Sequence, residues 1–193
     1  MTEHPLTRRD LILEQALTLF AERGYNGVGV EELATTAGVT KPTLYHYFGN
    51  KQGVLEAIVV ERYDPFIAEL VDAASYNGDL PKTLTQVVQA FFRFGTQEAT
   101  LYRMALAAGL TARDDAAAKI FHPRLDAQAQ ILRDLFQQAS KDHGNMIGRH
   151  HLAAASLHAT IVAYLQLAAA GKMTLDDGAV WRLIQQFSYG IYS

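Results

Sequence analysis

The chain of 193 residues contains no cysteine. That excludes a disulfide framework, thiolate chemistry and a cysteine-ligated zinc site. No apolar stretch follows Met1, so no signal peptide is expected. The longest uncharged run near the end, "HATIVAYLQLAAAG", is short and carries Gln166, so the sequence reads as a soluble, cytoplasmic protein. An excess of positive charge is also missing. Seventeen Lys and Arg stand against 20 Asp and Glu, a net charge of −3, which argues against bulk, nonspecific binding to nucleic acid. Runs of alternating apolar and polar residues, the mark of strands, scarcely occur. Neither a nucleophile–base pairing nor a Gly-rich phosphate loop nor a carboxylate–His metal motif is visible, so the chain does not read as an enzyme and no cofactor is expected.

What is present is helical periodicity. Hydrophobic residues make up 49% and charged residues 19%, a globular composition. Thr7 and Asp10 form a capping box ahead of Leu13, Ala16, Leu17 and Phe20, which predicts a first helix over 7–23 closed by Gly24. A short helix over 30–37 stops at Gly38. Thr40 caps a third, with Pro42 in its first turn, where a missing N–H costs nothing. Asn50 caps a fourth from Lys51 to about 75, bent near Pro65. Further helices are expected near 82–98, 100–109, 112–139 (interrupted at Pro123), 150–170 and 176–191. The fold class is therefore all-α, about nine helices, with a three-helix N-terminal domain over 1–50 and a larger helical domain over 51–193.

Within "VEELATTAGVTKPTLYHYF" two short helices meet at Gly38, where a positive φ suits the tight turn. Ala34 lets the second helix approach closely. Leu33, Ala37, Val39, Leu44 and Tyr47 have the spacing to pack between these helices and the first one. This is the pattern of a helix-turn-helix, whose second helix enters a major groove. On that geometry Leu44 and Phe48 point inward, while Lys41, Pro42, Thr43, Tyr45, His46 and, in part, Tyr47 lie outward. Tyrosine hydroxyls can donate to phosphate, Thr43 and His46 can read base edges, and the Pro42 ring can meet a thymine methyl. Lys51 adds a cation at a helix start. Through residue 55 there are five Lys and Arg but six Asp and Glu, so contact must rest on a polarised surface or on neutral donors and helix ends.

The segment "LILEQALTLFAERGYNGVGVEELATTAGVTKPTLYHYFGNKQGVLEAIV" resembles the N-terminal domain of TetR-family transcriptional regulators, over about residues 7–60, most specifically in "GVTKPTLYHYFGNK". The resemblance implies a helix-turn-helix at 29–48, a homodimer on a palindromic double-stranded operator, usually repression, and a divergent C-terminal domain for a small-molecule effector. It implies that Thr40 caps the recognition helix, that Lys41, Pro42, Thr43 and His46 face the groove, and that Tyr45, Tyr47 and Lys51 meet the backbone. Pro42 departs from the family, which often has Gly or Ala there.

In the remaining two-thirds, Phe91, Phe94, Tyr102, Met104, Phe121, Phe136 and Tyr164 suggest either a largely apolar effector cavity or plain core. Arg103 and Arg124 can either orient an anion or simply face solvent. Leu157, Ile161 and Leu165 form one apolar seam, and Val180, Ile184, Phe187 and Ile191 another. Two such helices per subunit can build a four-helix dimer interface, or both seams can close the subunit's own core. His122, His143, His150, His151 and His158 lack the spacing of a helical metal clip, so no metal site is expected. The competing function is a helical interaction or cofactor-carrier module that does not bind DNA.

Overall fold

A computed structural model describes residues 7–143 and 147–189. Among these residues every regular element is helical: α1 (Arg8–Arg23), α2 (Val30–Thr36), α3 (Lys41–Phe48), α4 (Lys51–Ile58), a π-helical turn (Val59–Tyr63), α5 (Asp64–Ala73), α6 (Leu80–Gln97), α7 (Ala99–Ala108), α8 (Ala116–Ala139), α9 (His150–Ala169) and α10 (Asp177–Tyr189). The chain packs as two compact units. One holds the N-terminal helices through Pro65 together with 100–125, and the other holds 66–99 and the chain from 126 onward. Packing therefore groups α7 and the start of α8 with the N-terminal helices, whereas the sequence reading divides the chain at residue 50.

In the first unit, α1 begins at the expected capping box. The Thr7 hydroxyl accepts from Asp10 N–H at 3.2 Å, and the Asp10 carboxylate accepts from Thr7 N–H at 3.0 Å. Ile12, Leu13, Ala16, Leu17 and Phe20 then bury one face, packed against α4 and α2. The expected bend near Pro65 takes the form of the π turn. Asp64 N–H donates to Val59 C=O, five residues back. Pro65 has no N–H to give, and a widened turn just before it accommodates the missing bond. Arg124 then grips Asp64 through two hydrogen bonds of 2.9 Å, and its Nη1 also donates to Ile120 C=O at 3.3 Å. Pro123 lies inside α8 without ending it, contrary to the interruption the sequence suggests.

In the second unit, α6, α9 and α10 pack against one another. Phe66 stacks on Phe94 with ring centroids 4.2 Å apart and meets Phe91 edge-on at 5.1 Å. A Cβ on Gly95 would lie 2.6 Å from Leu165 Cδ2, so a larger residue there would force the Leu165 side chain to move. Gln128, almost fully buried, shares a 2.8 Å hydrogen bond with His158 Nε2, and the His158 ring lies beside Phe91.

Burial pushes the His158 imidazole below its ordinary value of 6.5. The folded chain therefore binds fewer protons there than the unfolded chain. The stability conferred is complete above about pH 6.5 and declines as the pH falls below it. Urea unfolding at pH 7.5 and pH 5.5 is expected to show a loss at the lower pH that shrinks in His158→Gln.

Candidate nucleic-acid interface

The turn between α2 and α3 is built by backbone bonds. Gly38, at φ +65°, donates to Thr35 C=O at 3.1 Å, and Val39 N–H reaches Ala34 C=O at 2.9 Å. An L-residue would be strained at this φ. Thr40 then caps α3, its hydroxyl accepting from Thr43 N–H at 3.3 Å and meeting the Thr43 hydroxyl at 2.9 Å. Pro42 sits in the first turn. Leu44 is fully buried and is the one α3 side chain in the core. Lys41 and Thr43 are half-buried, and four further residues are turned outward. Pro42 and His46 are exposed, Tyr45 is 45% exposed and Tyr47 41%. Tyr47 is thus a surface residue, not the packing residue its spacing suggests, and its ring stands edge-on to His46. Phe48 is half-buried, with the Arg9 guanidinium over its ring at 5.4 Å.

Two of the expected contact residues are already occupied. The Lys51 ammonium donates to Tyr25 C=O and Val28 C=O, both at 2.9 Å, and lies 4.3 Å from the Tyr25 ring centroid. Burial lowers its pKa from the ordinary lysine value. Instead of reaching outward as a phosphate contact, Lys51 clamps the α1–α2 turn onto the start of α4. Lys41, at the exposed tip, is ion-paired with Glu31 of α2, and that carboxylate holds its pKa above the usual lysine range. The same economy runs through the unit: Arg9 pairs with Glu61, Arg23 with Glu32, and Arg62 with Glu14. The outward surface of α3 thus offers mainly neutral donors, Thr40, Thr43, His46 and two tyrosine hydroxyls. Sequence reasoning missed the Lys51 clamp because its partners are backbone carbonyls, which leave no residue signature. It also missed Glu31–Lys41, although opposite charges flanking the Gly38 turn were a usable signal.

The other expected sites separate. Phe91, Phe94, Phe136 and Tyr164 belong to one unit, and Tyr102, Met104 and Phe121 to the other. Phe91, Phe94, Tyr102, Phe121 and Phe136 are core residues. Phe136 packs on Phe187, and Tyr164 on Phe92. Only Met104 and Phe121 of the seven line a cleft, which lies in the first unit. Leu157, Ile161, Val180 and Ile184 are buried in their own subunit, with Leu165 and Phe187 half-buried. The two seams therefore close the chain's own core, and Ile191 lies outside the described residues. The reason is that α9 is apolar around its whole circumference, so periodicity could not say which stripe faces inward. Its outward stripe is Leu152, Ala155, Ala159, Ala163 and Leu167. By length and composition α9 also suffices to cross a membrane, with 22% of its apolar window buried. Among the described residues, no three of His, Asp and Glu form a group able to hold a metal ion.

Residues 12–58 match the family described as bacterial regulatory proteins, tetR family. The HTH-type transcriptional activator FasR of Mycolicibacterium smegmatis is 27% identical over 188 residues, covering 95% of this chain and 82% of FasR. The TetR-family regulator PfmR of Thermus thermophilus superposes with a TM-score of 0.72 at 20% identity, over 94% of this chain and 99% of PfmR. The regulator FadR of Bacillus subtilis, solved with stearoyl-CoA, gives 0.70 at 19% identity, over 94% and 98%. At these identities the solved structures establish the fold.

The Glu31–Lys41 pair yields a measurable expectation. Glu31→Gln releases the tip lysine, which becomes available to neutralise a phosphate. Each phosphate neutralised changes the slope of log K against log salt by about −0.9. Fluorescence anisotropy on a random-sequence duplex is expected to show tighter binding and a slope steeper by about one. Lys41→Gln is expected to leave the slope near that of the unaltered chain.

Proposed function

Because residues 12–58 carry the domain of tetR-family bacterial regulatory proteins, we propose that this chain works as a cytoplasmic homodimer that binds a palindromic double-stranded operator and is released by a small-molecule effector. The observation that carries the reading is α3: Leu44 faces the core, and Tyr45, His46 and Tyr47 project exposed donors beside the half-buried Thr43. An eight-residue helix with its only anchor on one side has little structural use for two exposed tyrosines and a histidine. It has a clear use for them against a phosphate backbone and base edges. Thr43, His46 and Pro42 stand nearest the groove. Tyr45 and Tyr47 take the phosphates, and Lys51 acts by fixing the helix start. Tyr45→Phe with Tyr47→Phe removes two hydroxyls and no packing, and is expected to weaken operator binding about tenfold or more. Selection from a random duplex library comes first. If no sequence is enriched, the chain is instead an interaction or carrier module.

The dimer is supported by α9. Its outward stripe of Leu152, Ala155, Ala159, Ala163 and Leu167 carries no charge, and apolar faces of this length in water are covered. A second copy related by a two-fold axis matches this self-complementary stripe, and a palindromic operator offers its two half-sites on successive major grooves, about 34 Å apart. Ala163→Glu, at an exposed position, is expected to yield a folded monomer in sedimentation while unaltered protein sediments as a dimer. An effector acts by favouring one separation of the paired α3 helices over another. The stearoyl-CoA bound by FadR is consistent with a largely apolar effector here. Repression is read as the default. FasR is named an activator, and the same groove contact serves either sign depending on where the operator lies relative to the promoter.

A further inference from the structure

A cleft of about 520 Å³ opens within the first unit, between the end of α1 with the turn after it and the facing sides of α7 and α8. Its floor is apolar: Phe20 and Phe121 are each 1% exposed, and Met104 is half-buried beside them. A space of that size falls within the range of small-molecule sites. The charged groups on its walls are unequal in state. Arg23 is neutralised by Glu32. The Asp115 carboxylate accepts from Asn26 Nδ2 at 2.8 Å and from Ala117 and Ala118 N–H at 2.9 and 3.0 Å. These donors hold it below the usual aspartate range. Arg103 is exposed and makes no hydrogen bond or ion pair with a described residue. Asp115 keeps its negative charge with its oxygens engaged by neutral donors, so Arg103 is the charged group on the wall left without a partner among the described residues.

We infer that this cleft is an effector site for a compact, flat apolar monoanion, an aromatic carboxylate in chemical class, whose body covers Phe20, Met104 and Phe121 and whose charge meets Arg103. The guanidinium fork suits a carboxylate in two-point contact. The adaptable Met104 side chain lets the wall fit a planar ring. The inference rests on the regulator reading for its consequence only. The wall formed by the turn after α1 is the one whose carbonyls, on Tyr25 and Val28, hold Lys51 at the start of α4, and whose Asn26 is latched to Asp115 at the start of α8. A ligand seated there presses on the latch and, through the clamp, on the support of α3.

The test uses the full chain and 2-naphthoate as probe, followed by calorimetry and by the Asn26 side-chain amide resonance. Binding of one probe per chain with a shift of the Asn26 resonance is expected. Arg103→Gln should weaken it at least tenfold, as should replacing the carboxylate by an aminomethyl group. Ala107→Phe, at an exposed position lining the cleft, should abolish it, with circular dichroism confirming that the helices remain. Equal affinity in Arg103→Gln, an unmoved Asn26 signal, or no binding at all overturns the site. The titration contains no DNA. Probe binding without any enriched duplex sequence would sink the regulator reading and keep the site. An enriched operator without probe binding would do the reverse.

Discussion

The surface of α3 depends on a single side chain in the core. Eight residues make little more than two turns, too few to be stable alone in water. Leu44 provides the only fully buried contact, and the Thr40 and Asn50 side chains fix the two ends of the segment by capping α3 and the following helix. With so few constraints, each one determines orientation. A helix anchored by one side chain keeps its opposite face free, and that face holds the tyrosines, the histidine and the proline. The Lys51 clamp adds rigidity from behind by tying the turn after α1 to the helix that follows α3.

Charge is handled within the same unit in a way that separates specificity from attraction. Five arginines and lysines are bound to the unit's own carboxylates, and Lys51 is bound to carbonyls. Exposed ion pairs of this kind contribute only about 0–1 kcal/mol each to stability. Their larger effect is on the field the surface presents. On the proposed reading a duplex would meet few uncommitted cations, so long-range attraction would be weak and the contact would rely on hydrogen bonds that require correct placement. The net charge of −3 is then compatible with a nucleic-acid partner.

Much of this organisation was legible in the residue pattern, because short-range chemistry dictates it. The Thr7–Asp10 box, the Gly38 turn, the Thr40 and Asn50 caps and the inward Leu44 all follow from local geometry. Helix limits came within a few residues for the same reason. Tyr47 suited both packing and an outward face, because half-turn differences decide exposure on so short a helix. Lys51 was misassigned because a lysine aimed at carbonyls looks, in sequence, like a lysine aimed at phosphate. The aromatic group split across two units because chain order does not report that α7 and the start of α8 pack with the N-terminal helices. On α9, apolar residues on most sides blur the periodic signal, so the pattern leaves open which stripe faces inward.

The widened turn at Val59–Tyr63 carries one residue more than an α-helical path would use. One residue corresponds to about 100° of helical phase. With Asp64 N–H bonded to Val59 C=O, the turn absorbs that residue, and Asp64 stands where the fourth residue of a regular turn would. Deleting a single position there would restore regular winding and keep Asp64 facing the Arg124 fork, so the turn is a place where the chain can change length by one without rotating the helix beyond it.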